Sequence, residues 1–392
     1  MLISAALAGA CTVGDGNADG AADLQRRIDP IFSDIGAHRP GYAIGIIEQG
    51  ELVFARGYGL ANVVKGEAIS ADTAFNLASL SKQFTAAAVA REIVEGRMRL
   101  EDPIRSKWPE LPAFMEPVTI GHLVYMTSGV PEYFTLPSPR GGWSSENRFT
   151  VKDALGAVFR SNGLVFEPGT RWAYSNSNYL LLAELVARRN NTNFADHMER
   201  SFFKPLGMTR TWVDARLEQR PAIARAYIAT SDTARWQEAP RLSPHYGGSG
   251  IYSTLSDLAR WDAALFRDRV FGQAFTETML STRHYAHPKA NDAFGLVHGI
   301  YNGRATIWYE GGDFGVSTFS VRVPGSRVTV ICLANFAEAG CRERAYRVLD
   351  AFLEARAHPG PVRQQLRVAR WHIMSGRSSN PPPRPAEMAS SG

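Results

Sequence analysis

Strand-like runs stand near both ends of this chain, and a long helical stretch separates them. Tyr42 to Ile47 and Leu52 to Gly57 flank Gln49-Gly50, a hairpin signal. Ala305 to Tyr309, Ser317 to Val323 and Val328 to Leu333 follow in the last quarter of the 392 residues, the final pair turning at Pro324-Gly325. A lone hairpin is marginal in water. The runs therefore predict one sheet assembled from both ends, with the chain between them inserted as a mainly helical domain. Ile28, Ile31, Phe32 and Ile35 predict a first helix stopping near Gly36. Leu80 to Val94, rich in alanine, reads as a buried helix, and Arg342 to Arg356 as a closing one. The expected organisation is an α/β sheet domain from residues 24–100 plus 246–356 and a helical insertion over 101–245. Residues 1–23 read as an export signal or linker, and 357–392 as a basic, Pro- and Ser-rich tail that is partly disordered.

Composition narrows the function. Hydrophobic residues make up 45% and charged residues 21%, ordinary values for a globular core. No apolar run approaches the roughly 18 residues of a spanning helix. The net charge is only +5, with no basic run in the folded part, which argues against nucleic acid as a partner. Three cysteines include no C-x-x-C pair, and the nine histidines do not cluster at ligand spacing, so neither metal nor cofactor is implied. Cys332 and Cys341 read as buried thiols, or as a disulfide in an oxidising compartment. At the start, Ala8-Gly9-Ala10 fits a small-x-small cleavage site, and Cys11 could carry a lipid anchor. These features point to a periplasmic or secreted protein; a disordered cytoplasmic N-terminus is the alternative. Asp15 to Gly20 matches half of a calcium loop, but Arg26 stands where the bidentate Glu belongs.

There is no G-x-S-x-G elbow, H-E-x-x-H or Walker loop. The positive signal is Ser79-Leu80-Ser81-Lys82. Residues i and i+3 share a helix face, so the Lys82 amine can approach the Ser79 hydroxyl, and a buried lysine with depressed pKa can take its proton. A Ser79 at a helix N-terminus would also offer free N–H groups to an oxyanion. Ser201-Phe202-Phe203-Lys204 has the same spacing, but its aromatics and Pro205 read as a buried helix end. The second signal is Tyr174-Ser175-Asn176: a phenol able to shuttle a proton and an amide able to bridge lysine and substrate. Alone it would equally be a polar turn before a helix. The third is Tyr309-Glu310-Gly311-Gly312, where glycines on an edge strand allow close approach of a substrate, or merely form a bulge.

In this order the three elements resemble the serine β-lactamase and DD-peptidase superfamily, in the branch of class C β-lactamases, D-aminopeptidases and β-lactamase-fold esterases. Further segments agree: Phe75-Asn76-Leu77-Ala78, Glu95 to Pro103, Thr119 to Leu123 with Thr127 to Pro131, Pro205 to Met208, and Gly248 to Thr254. The resemblance spans residues 25 to 356. It implies the β-lactamase/transpeptidase-like α/β (α+β) fold, a central antiparallel sheet flanked by helices. It implies Ser79 as acylated nucleophile, Lys82 as activating base, and Tyr174 as partner acid and base that also positions the deacylating water. Asn176 would orient Lys82 and substrate, and the N–H groups of Ser79 and Gly312 would hold the oxyanion. His122 falls in the helix-entry segment and reads as structural.

The family's third motif usually opens with Lys or His, and here Tyr309 stands there with Glu310 beside it. A neutral phenol replaces a cation that could attract a substrate carboxylate, a loss of roughly 1.5–3 kcal/mol. An inward Glu310 would add repulsion. The expected activity is hydrolysis of neutral esters or amides through an acyl-enzyme. A D-alanyl-D-alanine carboxypeptidase or D-aminopeptidase, or a class C-like β-lactamase, ranks behind it, and a catalytically silent penicillin-binding-like envelope protein is the alternative of another class. Tyr133, Phe134 and Trp143 are candidates for lining an apolar acyl pocket.

Overall fold

The computed structural model describes residues 16–138, 149–213, 222–230, 235–239, 245–282 and 292–357. Phe32–Val348 is one compact unit, and residues 1–31 with 349–392 group as another. The terminal unit holds helix α1 (Gly16–Ile28), braced by an Arg27–Asp23 ion pair at 2.9 Å. α1 begins earlier than the apolar spacing predicts and takes in residues expected to be linker. Pro30 explains where it ends: without an N–H, the chain tightens into a 3-10 turn over Asp29–Phe32 instead of continuing to Gly36.

The large unit opens with β1 (Tyr42–Glu48) and β2 (Glu51–Tyr58), joined by Gln49 and Gly50 with left-handed φ of 55° and 82°. Two short strands, β3 (Leu60–Asn62) and β4 (Glu67–Ala68), pair with each other. β5 (Phe75–Asn76) leads to a 3-10 turn over Ala78–Ser81 and then to α2 (Lys82–Val94). Helices dominate next: α3 (Ile104–Lys107), α4 (Ile120–Val124), α5 (Val151–Phe159), α6 (Asn176–Arg189) and α7 (Phe194–Met198). Only short strands interrupt this stretch: β6 (Trp212–Val213), β7 (Tyr227–Ala229) and β8 (Trp236–Glu238). β9 (Ile251–Ser253), α8 (Leu255–Asp262) and α9 (Gln273–Leu280) lead back to the sheet. There β10 (Val297–Tyr301), β11 (Arg304–Asp313), β12 (Val316–Val323) and β13 (Val328–Ala334) precede α10 (Cys341–Ala357).

Six strands form an antiparallel sheet in the order β10-β11-β12-β13-β1-β2. The two ends of the chain meet at its centre, with Tyr42 opposite Ala334 and Glu48 opposite Val328. This is the sheet the terminal strand runs imply. β1 and β13 lie between neighbours and are almost wholly buried, which is why their sequences run apolar without alternation. α2 is buried almost all round, and its alanines let α6 and α9 close on it, while β11 and β12 pack against the 3-10 turn that precedes it. Trp261 of α8 donates to Gln83 of α2 at 2.8 Å. His122 acts in a reciprocal cap: its N–H donates to Thr119 Oγ1 and its Nδ1 accepts from the Thr119 N–H, both at 3.2 Å. Ser201 to Phe203 fall in a π-turn with both phenylalanines buried, so that second S-x-x-K is a helix end. Among the described residues no helix is long and apolar enough to cross a membrane.

Candidate active site

Ser79 lies in the 3-10 turn ahead of α2 rather than in the α-helix itself. In a 3-10 turn the side chains at i and i+3 eclipse, and Lys82 Nζ accordingly stands 3.0 Å from Ser79 Oγ. The residue before the serine, Ala78, takes φ of +47°. That conformation costs a non-glycine residue about 1–3 kcal/mol and persists only when its surroundings hold it. Here Ala78 N–H donates to Asn76 Oδ1 at 2.9 Å, Asn76 Nδ2 donates to Asp313 at 3.3 Å, and Leu77 N–H donates to Ile251 O at 2.8 Å.

Lys82 is fully buried. Its Nζ contacts Asn176 Oδ1 at 2.8 Å, Gly248 O at 2.7 Å, Tyr174 Oη at 2.5 Å and Ser79 Oγ at 3.0 Å. Burial pushes its pKa down to about 7, against the opposing pull of Glu132 and Asp313. A neutral amine has two N–H donors and one lone pair. Asn176 Oδ1 and Gly248 O can only accept, so they take the two donors and leave the lone pair facing the two hydroxyls. Tyr174 Oη is 2.6 Å from Ser79 Oγ. Tyr174 is 41% exposed as a residue, yet desolvation of its hydroxyl raises its pKa to about 12, with the Ser79 contact pulling the other way. Of the two groups beside the serine, the lysine rather than the phenol gives up its proton near neutrality.

Gly311 brings β11 against the turn that carries Ser79: a Cβ there would lie 2.8 Å from Ser79 N and 2.7 Å from Leu77 O. At Gly312 an added Cβ would meet nothing within 4 Å. β11 is not an edge strand, contrary to the sequence reading. Its pairing with β10 nevertheless stops at Trp308 opposite Val297, so Tyr309 to Asp313 run past that neighbour. Tyr309 is half-buried, and burial holds its hydroxyl well above its ordinary pKa, hence neutral. Glu310 lies on the alternate face of the strand, paired with Arg342 of α10 at 2.7 Å, so it does not point inward.

Tyr133 is core rather than pocket lining, with its ring tilted against Phe134 at 4.3 Å and against Phe149 at 6.2 Å. Burial leaves it no face for a substrate. Trp143 and Cys11 lie outside the described residues. Cys332 and Cys341 are buried free thiols, with Cys332 donating to Cys341 at 3.0 Å. Three contributors escaped the sequence reading in these roles: Glu132, which accepts from Asn176 N–H and, at 3.4 Å, from its Nδ2; Asp313, which steadies Asn76; and the Gly248 carbonyl. None has a spacing signature, because each meets the site only through the fold.

A sheet-and-helix fold with a serine hydroxyl, a buried amine and a phenol in mutual contact is that of a serine hydrolase. The family model described as Beta-lactamase matches residues 28–353, and the chain belongs to that family. It is 27% identical to penicillin-binding protein 4* of Bacillus subtilis over 386 residues, covering 93% of this chain and 79% of that protein. It is 24% identical to a D-aminopeptidase of Gluconobacter oxydans, covering 83% of this chain and 61% of that one. Among solved structures it resembles a D-amino acid amidase of Ochrobactrum anthropi complexed with L-phenylalanine amide, with a TM-score of 0.72 at 23% identity over 85% of this chain and 99% of that one.

Proposed function

We propose that this hydrolase forms an acyl-enzyme on Ser79 and acts on neutral esters or amides. The observation that carries the reading is the buried Lys82 amine, its two donors taken by Asn176 and Gly248 and its lone pair facing Ser79 and Tyr174. In acylation, Ser79 Oγ bonds to the substrate carbonyl carbon while its proton passes through Tyr174 Oη to Lys82 Nζ. The oxyanion rests between the N–H groups of Ser79 and Gly312. Collapse breaks the bond to the leaving alcohol or amine, which takes the proton back from Lys82 through Tyr174. Water then attacks the acyl ester, gives its proton to Lys82 by the same path, and the acid departs as Ser79 regains its hydrogen.

Neutral substrates are favoured because Tyr309 supplies no cation where a substrate carboxylate would lie. The outward pairing of Glu310 spares the cleft a fixed anion but adds no attraction. A second reading, hydrolysis of D-amino acid amides or peptides, draws on the relatives named D-aminopeptidase and D-amino acid amidase. Export remains part of the proposal on the strength of Ala8-Gly9-Ala10 and Cys11, and N-terminal sequencing of the mature protein tests it.

The deciding measurement compares kcat/KM for p-nitrophenyl butyrate, D-alanine p-nitroanilide and nitrocefin, beside mass spectrometry after a fluorophosphonate probe. We expect a single adduct, absent in Ser79→Ala, and the largest kcat/KM for the butyrate. An adduct that survives Ser79→Ala, or none at all, refutes the acyl-enzyme. A much larger value for nitrocefin refutes the preference for neutral substrates, and a larger one for the anilide selects the second reading.

A further inference from the structure

We propose that Glu132 is a positioning residue that holds the Asn176 amide with its oxygen towards Lys82, keeping the amine's lone pair free for the Ser79–Tyr174 proton path. The inference rests on the reading of Ser79 as the acylated nucleophile.

An asparagine amide presents either an acceptor or a donor to a neighbour, depending on which way it is turned. Beside a neutral lysine the two are not equivalent. With Oδ1 towards Nζ, the amide takes one of the amine's hydrogens. With Nδ2 there instead, it would donate into the lone pair that has to receive the serine proton. Something must therefore select the first orientation, and Glu132 is placed to do so. Its carboxylate accepts from Asn176 N–H through Oε2 and from Asn176 Nδ2 through Oε1 at 3.4 Å. A carboxylate has no hydrogen to offer, so it forbids the flipped amide. The same Oε1 accepts from Phe134 N–H at 3.4 Å, which fixes the carboxylate at the start of its own turn. Among the described residues Glu132 forms no ion pair.

Its charge acts on Lys82 as well. The groups facing Nζ are Ser79 from its own turn, Tyr174, Asn176 and Tyr179 from α6 and its lead-in, and the Gly248 carbonyl from the segment before β9. Glu132 and Asp313 supply the negative charges that oppose desolvation. Both favour the ammonium, so removing one lowers the lysine's pKa.

The test uses Glu132→Gln and Glu132→Asp in the full chain. Glutamine can still accept from a backbone N–H, so folding is retained, as an unchanged Tm checks. Its Nε2, however, faces the amide as a donor and selects the flipped Asn176. We expect Glu132→Gln to slow fluorophosphonate labelling of Ser79 at pH 8.5 about ten- to a hundredfold. The acidic limb of the rate profile should move about one unit lower. Glu132→Asp keeps the charge and should leave the limb in place. In parallel, 13C NMR of protein labelled at lysine Cε follows Lys82 directly, with only six lysines to assign. Its midpoint should fall in Glu132→Gln whether or not any substrate is turned over. If Ser79 labels normally while the Glu132→Gln rate and the Lys82 midpoint both match wild type, the positioning role is overturned and the acyl-enzyme reading stands. If no adduct forms on Ser79 but the midpoint falls as stated, the acyl-enzyme reading fails and the Glu132–Lys82 link holds.

Discussion

Lys82 works against the fold that contains it. In the unfolded chain its amine titrates near about 10.4, whereas in the folded protein burial lowers it to about 7. Between those values the unfolded state binds the extra proton, so stability rises with pH across that window. The slope is about 1.4 kcal/mol per pH unit. Lys82→Met removes the titration, and wild type should gain Tm relative to this variant from pH 7 to 10. Parallel curves would mean that the amine is not buried neutral. The same sign governs activity, because in the proposed mechanism Lys82 reacts as the free base: kcat/KM should fall as pH drops below about 7. Ser79 and Lys82 were legible because i and i+3 share a face, and Tyr174 and Asn176 because they form a compact motif. Glu132 was not, since it reaches Asn176 across 44 positions and a lone carboxylate after Pro131 announces nothing.

At the scale of elements, the site depends on how closely β11 lies against the turn that carries Ser79. Gly311 permits that approach: a Cβ there would stand 2.4 Å from Thr318 Oγ1 besides its clash with the Ser79 backbone. Gly311→Ala must therefore push strand and turn apart. We expect a stability loss of about 1–3 kcal/mol, as for other overpacked sites, and a larger proportional loss of fluorophosphonate labelling than of stability. Labelling at the wild-type rate would show that the strand and the turn need not touch. The sequence displayed β11 and its glycines but not the strand beyond them. β10 (VHGIY) is only half-buried, with Ile300 exposed, so no one-sided apolar pattern marks it. α1 was misplaced for a related reason: apolar spacing alone cannot register that Pro30 forces the turn to tighten.

At the scale of the molecule, Ser79, the proposed nucleophile, belongs to the first quarter of the chain and the glycine pair of β11 to the last, and β1 against β13 brings them together. The pairing is seven residues long, Tyr42 to Glu48 against Ala334 to Val328, and both strands are flanked by further strands. Neither end can complete the sheet without the other, so loop closure over most of the chain must precede its hydrogen bonds. The strand-like runs near both ends of the chain foretold this much; the order of the strands required the pairing itself. A sheet closed this way should open only as a unit. In native-state hydrogen exchange, amides of Ile44 and Ile46 in β1 and of Val330 and Cys332 in β13 should share one opening free energy. That value should equal the stability of the Phe32–Val348 unit measured by denaturant. Faster exchange in β1 than in β13 would mean that the C-terminal strands hold together alone. Activity would then be lost at lower denaturant than their protection, because Ser79 would leave the cleft while Gly311 and Gly312 stayed in place.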